Sequence, residues 1–413
     1  MSEPILAWPK VGHRSVPYRV YHDAEVYARE QEKIFRGPVW HFVALEAELP
    51  DPGDFKTTYI GDTPVVITRD ADGSLHGFVN RCAHRGSTLC LEFSGKKRAG
   101  FTCVYHAWSY DLRGNLTNAA FRRGIRGQGG LPADFELEDH GLQKLRVDSF
   151  AGLVFATMSD KTEPLEHYIG DTVAPGIRRT MNRPIRILGY DSQVMQSNWK
   201  TYAENTRDSF HANILHTFFG TFGISRQTQD SAIIVDPRGT HLYTYTKRGT
   251  EVASAEYDAT AADLRSVKAN FSLQDASLLD WKDEFGDGSS TFLVSLFPVF
   301  MIQQVSHSLA VRQLIPRSPT RCELIFTYFG FADDPPEMTQ HRLKHVNLTG
   351  SAGLVSMEDG AVAEFVGNGT KGAGEAASYI EMGGREIVDN STSKLSEKPL
   401  RGFWNAYKTL MEF

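Results

Sequence analysis

Residues 22–35, HDAEVYAREQEKIF, set Val26, Ile34 and Phe35 among charged side chains at helical spacing, with Asp23 positioned to cap the first turn. This predicts an amphipathic lead-in helix. From Trp40 to about Met158 the pattern shortens into alternating segments such as Val65-Val66-Ile67, Gly77-Phe78-Val79 and Gly152-Leu153-Val154-Phe155, punctuated by Gly, Asp-Gly and Asn. Such spacing predicts a small all-β module. Strand-like stretches return at 185–196, 241–247, 291–297, 308–315 and 323–331, with helical ones over 199–216 and 336–348. Strands in blocks with grouped helices argue an α+β fold rather than a doubly wound sheet. The expected domains are a helical lead-in over 1–39 that packs on the larger domain, a β module over 40–158, and that larger α+β domain over 159–413.

Composition narrows the function. With 44 Lys+Arg against 50 Asp+Glu, the formal net charge is -6, so no global basic field holds a polyanion, and nucleic acid is not an expected partner. The apolar run at 152–158 is among the longest and falls far below a membrane span. Met1-Ser2-Glu3-Pro4 carries no cationic region followed by an apolar one. The expectation is a cytoplasmic protein, neither secreted nor membrane-inserted. Four cysteines in 413 residues cannot build a disulfide framework. Cys90 and Cys322 have no histidine at ligand spacing and are read as buried apolar residues.

The other two cysteines carry chemistry. Cys82-Ala83-His84-Arg85-Gly86 is followed by Cys103-Val104-Tyr105-His106, and two Cys-His pairs on two short loops form the ligand set of a Rieske 2Fe-2S cluster. Thiolates hold one iron and neutral imidazoles the other, which raises the reduction potential to roughly -150 to +300 mV. A Cys2His2 structural zinc site is the alternative, but zinc fingers pair Cys with Cys and His with His, at other spacings. Gly86 permits a tight turn, while Tyr105, Trp108 and Tyr110 are placed either to cover the cluster or to serve as ordinary core.

Asn198-Trp199-Lys200 leads into Glu204-Asn205-Thr206-Arg207-Asp208-Ser209-Phe210-His211, and then His216. Two histidines with a distant carboxylate make the facial triad of non-haem Fe(II) oxygenases. On a regular helix, five residues separate two side chains by about 140°. A helix break or bulge between His211 and His216 is therefore expected. For the third ligand, Glu358-Asp359-Gly360 places two acids in an otherwise small and apolar segment, where an unpaired buried charge is costly. The alternative is a helix end carrying solvated acids.

Together these motifs resemble the large subunit of Rieske non-haem iron ring-hydroxylating oxygenases over nearly the whole chain. ENTRDSFHANILHTFFGTFG, SLAVRQLIPRS, EMGG and RGFW are most similar to the branch acting on aromatic carboxylates, the terephthalate, salicylate and anthranilate type. The resemblance implies a Rieske domain, then a catalytic domain with a central antiparallel sheet and flanking helices. It implies one 2Fe-2S cluster on Cys82, His84, Cys103 and His106, and one mononuclear Fe(II) on His211, His216 and Asp359, with Asp359 preferred over Glu358. It also makes Asp208 the bridge from a cluster histidine of one subunit to an iron-ligating histidine of its neighbour. Asp208 lies one helical turn from His211, and ligand histidines commonly give their second nitrogen to a carboxylate. The interval from Glu204 to Asp208 is one residue shorter than in the naphthalene-type branch, so that branch's hydrocarbon preference does not transfer.

The implied reaction is dioxygen addition to an aromatic carboxylate, giving a cis-diol from which a carboxylate can leave as carbon dioxide. Electrons come from NAD(P)H through a reductase, with or without a ferredoxin. Three such subunits, commonly joined by three small β subunits, form the implied assembly. A Rieske monooxygenase yielding a phenol or a demethylated product is the alternative; a simple electron-transfer ferredoxin would need only the first domain. Strand alternation sets Ala310, Arg312 and Leu314 on one face. Arg312 is either a carboxylate anchor or a side chain snorkelling to solvent, with Lys394 and Arg401, in a stretch expected to be mobile, as weaker candidates. Lys96-Lys97-Arg98 and Arg122-Arg123 are candidate docking residues for an acidic electron donor or simply solvated loops.

Overall fold

The computed structural model describes residues 5–268 and 270–413. The reading of Met1-Ser2-Glu3-Pro4 therefore lies outside the described residues. The chain divides into a unit over 35–168 and a second, discontinuous unit over 1–34 and 169–413. These limits differ from the sequence-based 39/40 and 158/159. Phe35 stacks on His41, with centroids 5.6 Å apart, and the Trp40 indole donates to the Glu163 carbonyl at 2.8 Å, so both flanks fold with the inserted unit.

In the inserted unit, β1 (His41–Leu45), β2 (Asp54–Ile60), β3 (Thr63–Arg69), β4 (Leu75–Val79), β5 (Ser94–Lys96), β9 (Lys144–Phe150) and β10 (Leu153–Thr157) form one antiparallel sheet in the order β1-β10-β9-β4-β3-β2-β5. A three-stranded sheet of β6 (Phe101–Thr102), β7 (Ser109–Tyr110) and β8 (Leu116–Asn118) accompanies it. Phe55, Phe78, Phe101, Trp108 and Tyr110 fill the core between them, and Cys82, Cys90 and Cys103 are buried in it.

The discontinuous unit begins with α1 (Ala24–Glu30), where the Asp23 carboxylate accepts from the Glu25 and Val26 amides. A wider π-type turn over Gln31–Phe35 replaces the final turns of the expected helix. After α2 (Leu165–Thr180), kinked at Gly170, seven antiparallel strands run in the order β11-β17-β16-β15-β14-β13-β12. They are β11 (Ile185–Met195), β12 (Ser231–Val235), β13 (Leu242–Lys247), β14 (Ser289–Leu296), β15 (Phe300–Val305), β16 (Ser308–Ser318) and β17 (Arg321–Phe331). The helices are α3 (Trp199–Asn205), α4 (Ala212–Leu215), α5 (Thr217–Phe222), α6 (Ala255–Ala261), α7 (Pro336–Thr349), α8 (Leu354–Gly369) and α9 (Lys398–Met411).

Two features position the site. The single helical stretch expected over 199–216 is broken into α3, a turn and α4. The C-terminal stretch expected to be mobile is α9, whose Phe403, Trp404 and Tyr407 are fully buried. A buried carboxylate joins three parts of the unit: Glu30 of α1 accepts from the Trp199 indole at 2.7 Å, the Lys200 ammonium at 2.5 Å and the Tyr407 hydroxyl at 2.5 Å. Removing one member of such a network strands the others in a low-dielectric interior, at a cost of about 3–5 kcal/mol. Among the described residues, no helix is long and apolar enough to cross a membrane.

Candidate active site

In the inserted unit the two Cys-His loops are folded alike. The Cys82 amide donates to the Ser87 carbonyl and the Gly86 amide to the Cys82 carbonyl; the Cys103 amide donates to the Trp108 carbonyl and the Ala107 amide to the Cys103 carbonyl. Gly86 takes φ +74° to close its turn, a value a side chain would disfavour. The result is a pair of buried thiols and a pair of imidazoles whose ring centroids are 4.6 Å apart. Trp108 stacks on His84 at 4.7 Å and 8°, while Tyr105 lies over His106 at 3.8 Å. The Tyr110 hydroxyl is 3.3 Å from Cys82 Sγ and accepts from the Ala83 amide. Of the three aromatics, Trp108 and Tyr110 are buried around the loops, whereas Tyr105 is exposed. Two soft donors beside two imidazoles fit an iron-sulfur cluster.

Outside these loops, burial pushes the Cys90 thiol up to about 11 and Cys322 to about 12, consistent with inert core thiols. Lys96 and Lys97 pair with Asp51 and Glu92, both at 2.8 Å, so much of that basic run is already neutralised.

The second constellation lies in the other unit. Asn198 caps α3 by accepting from the Lys200 amide. α3 ends at Asn205, and His211 and His216 stand at the two ends of the four-residue α4, with His216 in extended backbone, φ -80° and ψ 108°. That break brings together two side chains a continuous helix would hold apart. Their Nε2 atoms lie 3.5 and 3.3 Å from Asp359 Oδ1, and the three donors fall within 4.8 Å of one another. Asp359 sits inside α8 and is buried, so the solvated-helix-end alternative does not describe it.

Each imidazole also has an acid behind it. His211 Nδ1 lies 3.5 Å from Asp208 Oδ2, and His216 Nδ1 lies 3.0 Å from Glu358 Oε2. Glu358, considered in the sequence only as a rival ligand, therefore stands behind His216; the signal was present as an acid adjacent to Asp359. Asn205 Nδ2 donates to Asp359 Oδ1 at 3.0 Å. Burial opposes charge on His211, but Asp208 and Asp359 outweigh it and hold its pKa near 10; the same two rings keep Asp359 well below the usual carboxylate range. With carboxylates behind both rings and a third between them, the donor set fits a divalent metal such as iron. Glu204 is elsewhere, half-buried and accepting from Trp404 and Tyr21, and desolvation raises its pKa to about 7.

Asp208, His211, His216 and Asp359 line one cavity with Phe219, Leu293, Met301 and Val305, and so do Arg312 and Lys394. Arg312 is buried, against the snorkelling alternative: it donates to the Tyr202 hydroxyl at 2.6 Å and to Gln303 Oε1, and its guanidinium lies 4.9 Å over Phe326. Lys394 is also buried, donating to Thr246 Oγ1 at 2.7 Å and Ser225 Oγ at 3.3 Å, and burial lowers its pKa to about 8. Arg401 is not at the cavity; it donates to the carbonyls of Ile380, Met382 and Glu386. Lys394 was undervalued because it lies far from the ligands in sequence and no local pattern marks its burial.

A family model of the Rieske [2Fe-2S] domain matches residues 39–126, and one of the ring hydroxylating alpha subunit catalytic domain matches 172–412. The terminal oxygenase component subunit alpha 2 of terephthalate 1,2-dioxygenase from a Comamonas species is 44% identical over 411 residues, covering 100% of this chain and 98% of that protein. The anthranilate 1,2-dioxygenase large subunit of Burkholderia cepacia is 46% identical, covering 96% and 93%. The large oxygenase component of salicylate 5-hydroxylase from a Ralstonia species is 38% identical, covering 98% and 96%. Among solved structures, naphthalene 1,2-dioxygenase from a Rhodococcus species shares the fold, with a TM-score of 0.78 at 22% identity, covering 96% of this chain and 94% of that one.

Proposed function

The chain belongs to the ring-hydroxylating oxygenase alpha subunits, and on that premise we propose that it is the oxygenase component of a multicomponent dioxygenase acting on an aromatic carboxylate. The observation that carries the substrate class is the pair Arg312 and Lys394. Both cations are buried at the cavity that holds His211, His216 and Asp359, and their hydrogen-bond partners are neutral hydroxyl and amide groups. A buried cation met only by neutral groups is costly, and an anionic ligand offsets that cost. The apolar walls, Phe219, Leu293, Met301 and Val305, suit the ring.

In this reading Cys82, His84, Cys103 and His106 hold the cluster, and His211, His216 and Asp359 hold the iron. Together these groups supply stored electrons and dioxygen activation. Tyr202 and Gln303 aim Arg312 at the ring carboxylate, which fixes the ring carbons presented to the metal. Lys394 receives a second polar substituent. Glu358 and Asp208 keep the outer nitrogens of the two ligand rings engaged, and Asp208 is the bridge toward a cluster histidine of a neighbouring subunit. The protein works in the cytoplasm with a reductase, directly or through a ferredoxin; the alpha-subunit designation of its relatives supports an assembly with small β subunits, three of each.

The test is product identification. The reconstituted system is given benzoate, salicylate, anthranilate, phthalate and terephthalate under ¹⁸O₂, and two labelled oxygens are expected in a diol or, for anthranilate, in the catechol left after carbon dioxide and ammonia depart. Incorporation of one atom would establish hydroxylation instead, the reaction named for the Ralstonia relative. Arg312→Leu should weaken binding of the preferred acid by about ten- to a hundredfold, with neutral rings unaffected. Unchanged affinity for acids would remove Arg312 as the anchor.

A further inference from the structure

Three histidines that take no part in the chemistry above hold one short segment of the larger unit. His345 Nε2 lies 3.1 Å from the Leu278 carbonyl, His341 Nε2 lies 3.3 Å from the Asp280 carbonyl, and the Lys282 amide donates to His307 Nε2 at 3.0 Å. The segment thus offers every second residue, 278, 280 and 282, to a different imidazole. The rings are themselves packed together, with centroids 4.4 to 5.7 Å apart, and the His307 amide donates to His345 Nδ1 at 3.3 Å. Between and beside the held positions, Leu278 and Leu279 pack against a cluster containing Phe219, Val305 and Val355, which also line the catalytic cavity.

These bonds dictate protonation. His345 accepts at Nδ1 and faces a carbonyl with Nε2, so it is neutral with its proton on Nε2; His307 accepts at Nε2 and is neutral with its proton on Nδ1. A second proton on either ring removes an acceptor that a backbone N–H is using.

We propose that His307, His341 and His345 are positioning residues that clasp residues 278–282 against the outer wall of the substrate cavity, and that acid releases the clasp. The surroundings resist charge on His345. Burial, His341, His307 and Lys344 all disfavour it, and its pKa is pushed down to about 3. His307 faces Glu284 at 3.6 Å, and Glu284 is itself held by Arg342 and Arg183. Arg342 also pairs with Asp334 and donates to the His307 carbonyl. Lys344 also pairs with Asp275 at 2.6 Å, and that bond, with Ser277, holds the Asp275 carboxyl down to about 2. The sign follows: a released His345 takes a proton at about 6.5 and the clasped ring does not. Each pH unit below about 6.5 therefore enlarges the released population by up to about tenfold, and the clasp is at full strength above that value.

Hydrogen exchange on the holoenzyme between pH 7.5 and 5 tests this directly. Protection factors of the Lys282 and His307 amides are expected to fall by up to about tenfold per pH unit below 6.5, while the Gly350 amide, bonded to the Val346 carbonyl, stays level. In His345→Gln, a neutral side chain able to accept and donate at the same two places, the His307 amide should lose that slope, and the pH dependence of KM for the aromatic acid should flatten with kcat little changed. Level protection in the wild type, or loss of Gly350 protection in parallel, would overturn the clasp whether or not the variant folds. The KM arm rests on the proposed substrate class. The exchange arm does not, so failure to bind any aromatic acid would fault that class alone.

Discussion

His84 and His106 project from two loops of the inserted unit and are steadied by rings, Trp108 stacking on one and Tyr105 lying over the other. His211 and His216 stand at the ends of a four-residue helix and are steadied by acids, Asp208 and Glu358 outside and Asp359 between. The electrostatics follow. Some desolvation, with His106 and Arg85 nearby, lowers the pKa of His84, whereas His211 has its pKa raised to about 10. Stacking leaves His84 exposed. A pair held by carboxylates is fixed from both sides and has the stronger claim on a divalent cation. One chain thus holds the same side chain by aromatic stacking in one region and by carboxylates in the other.

The most severe test of this contrast is Asp208→Ala. It removes the acid behind His211 and leaves all seven proposed ligands in place. Turnover should fall by about a hundredfold or more, while dithionite still bleaches the cluster absorbance fully; turnover near the wild-type rate would separate Asp208 from the link between the two regions. Glu358→Ala should lower iron affinity at the mononuclear site by about ten- to a hundredfold, seen by chelator competition, with acid-labile sulfide unchanged. Equal loss of iron and sulfide would mean that the two regions are not independently held.

The smallest expected effect compares lysines. Lys96 is exposed and its pKa is raised by its hydrogen bond and charge pairing with Asp51, whereas burial drops Lys394 to about 8. Lys394 therefore loses charge as pH rises through about 8, and binding of an aromatic acid with a second anionic group should weaken by up to about tenfold between pH 7 and 9. Lys394→Arg should keep binding level over that range, since arginine stays charged. Isothermal titration at both pH values makes the comparison.

What the sequence disclosed here was local, and what it withheld was long-range. The Cys-His loops and the predicted break between His211 and His216 are legible because ligand spacing and helical angle are properties of a few adjacent residues. β12 and β15 were missed. Phe300–Val305 is buried on both faces, so it has no alternation to recognise. The C-terminal stretch was misjudged for a related reason: Lys394 and Arg401 suggest a mobile segment, yet both are buried, Arg401 by donating to backbone carbonyls. Lys394 and Arg312 reach the cavity from positions 82 residues apart, and only the folded chain brings them to it.

The carboxylate of Glu30, shared with Lys200, Trp199 and Tyr407, sets an order of events during synthesis. Of its three partners, Trp199 and Lys200 lie beyond the inserted unit and Tyr407 lies near the end of the chain, so the knot cannot close until residue 407 has left the ribosome. The inserted unit, by contrast, is complete at residue 168, and at about 5–20 residues per second the ribosome needs a further 10 to 50 seconds or so to reach that point. Once α3 has emerged, α1 and α3 wait for their third partner in α9. The discontinuous unit is thus the later of the two to complete its own contacts.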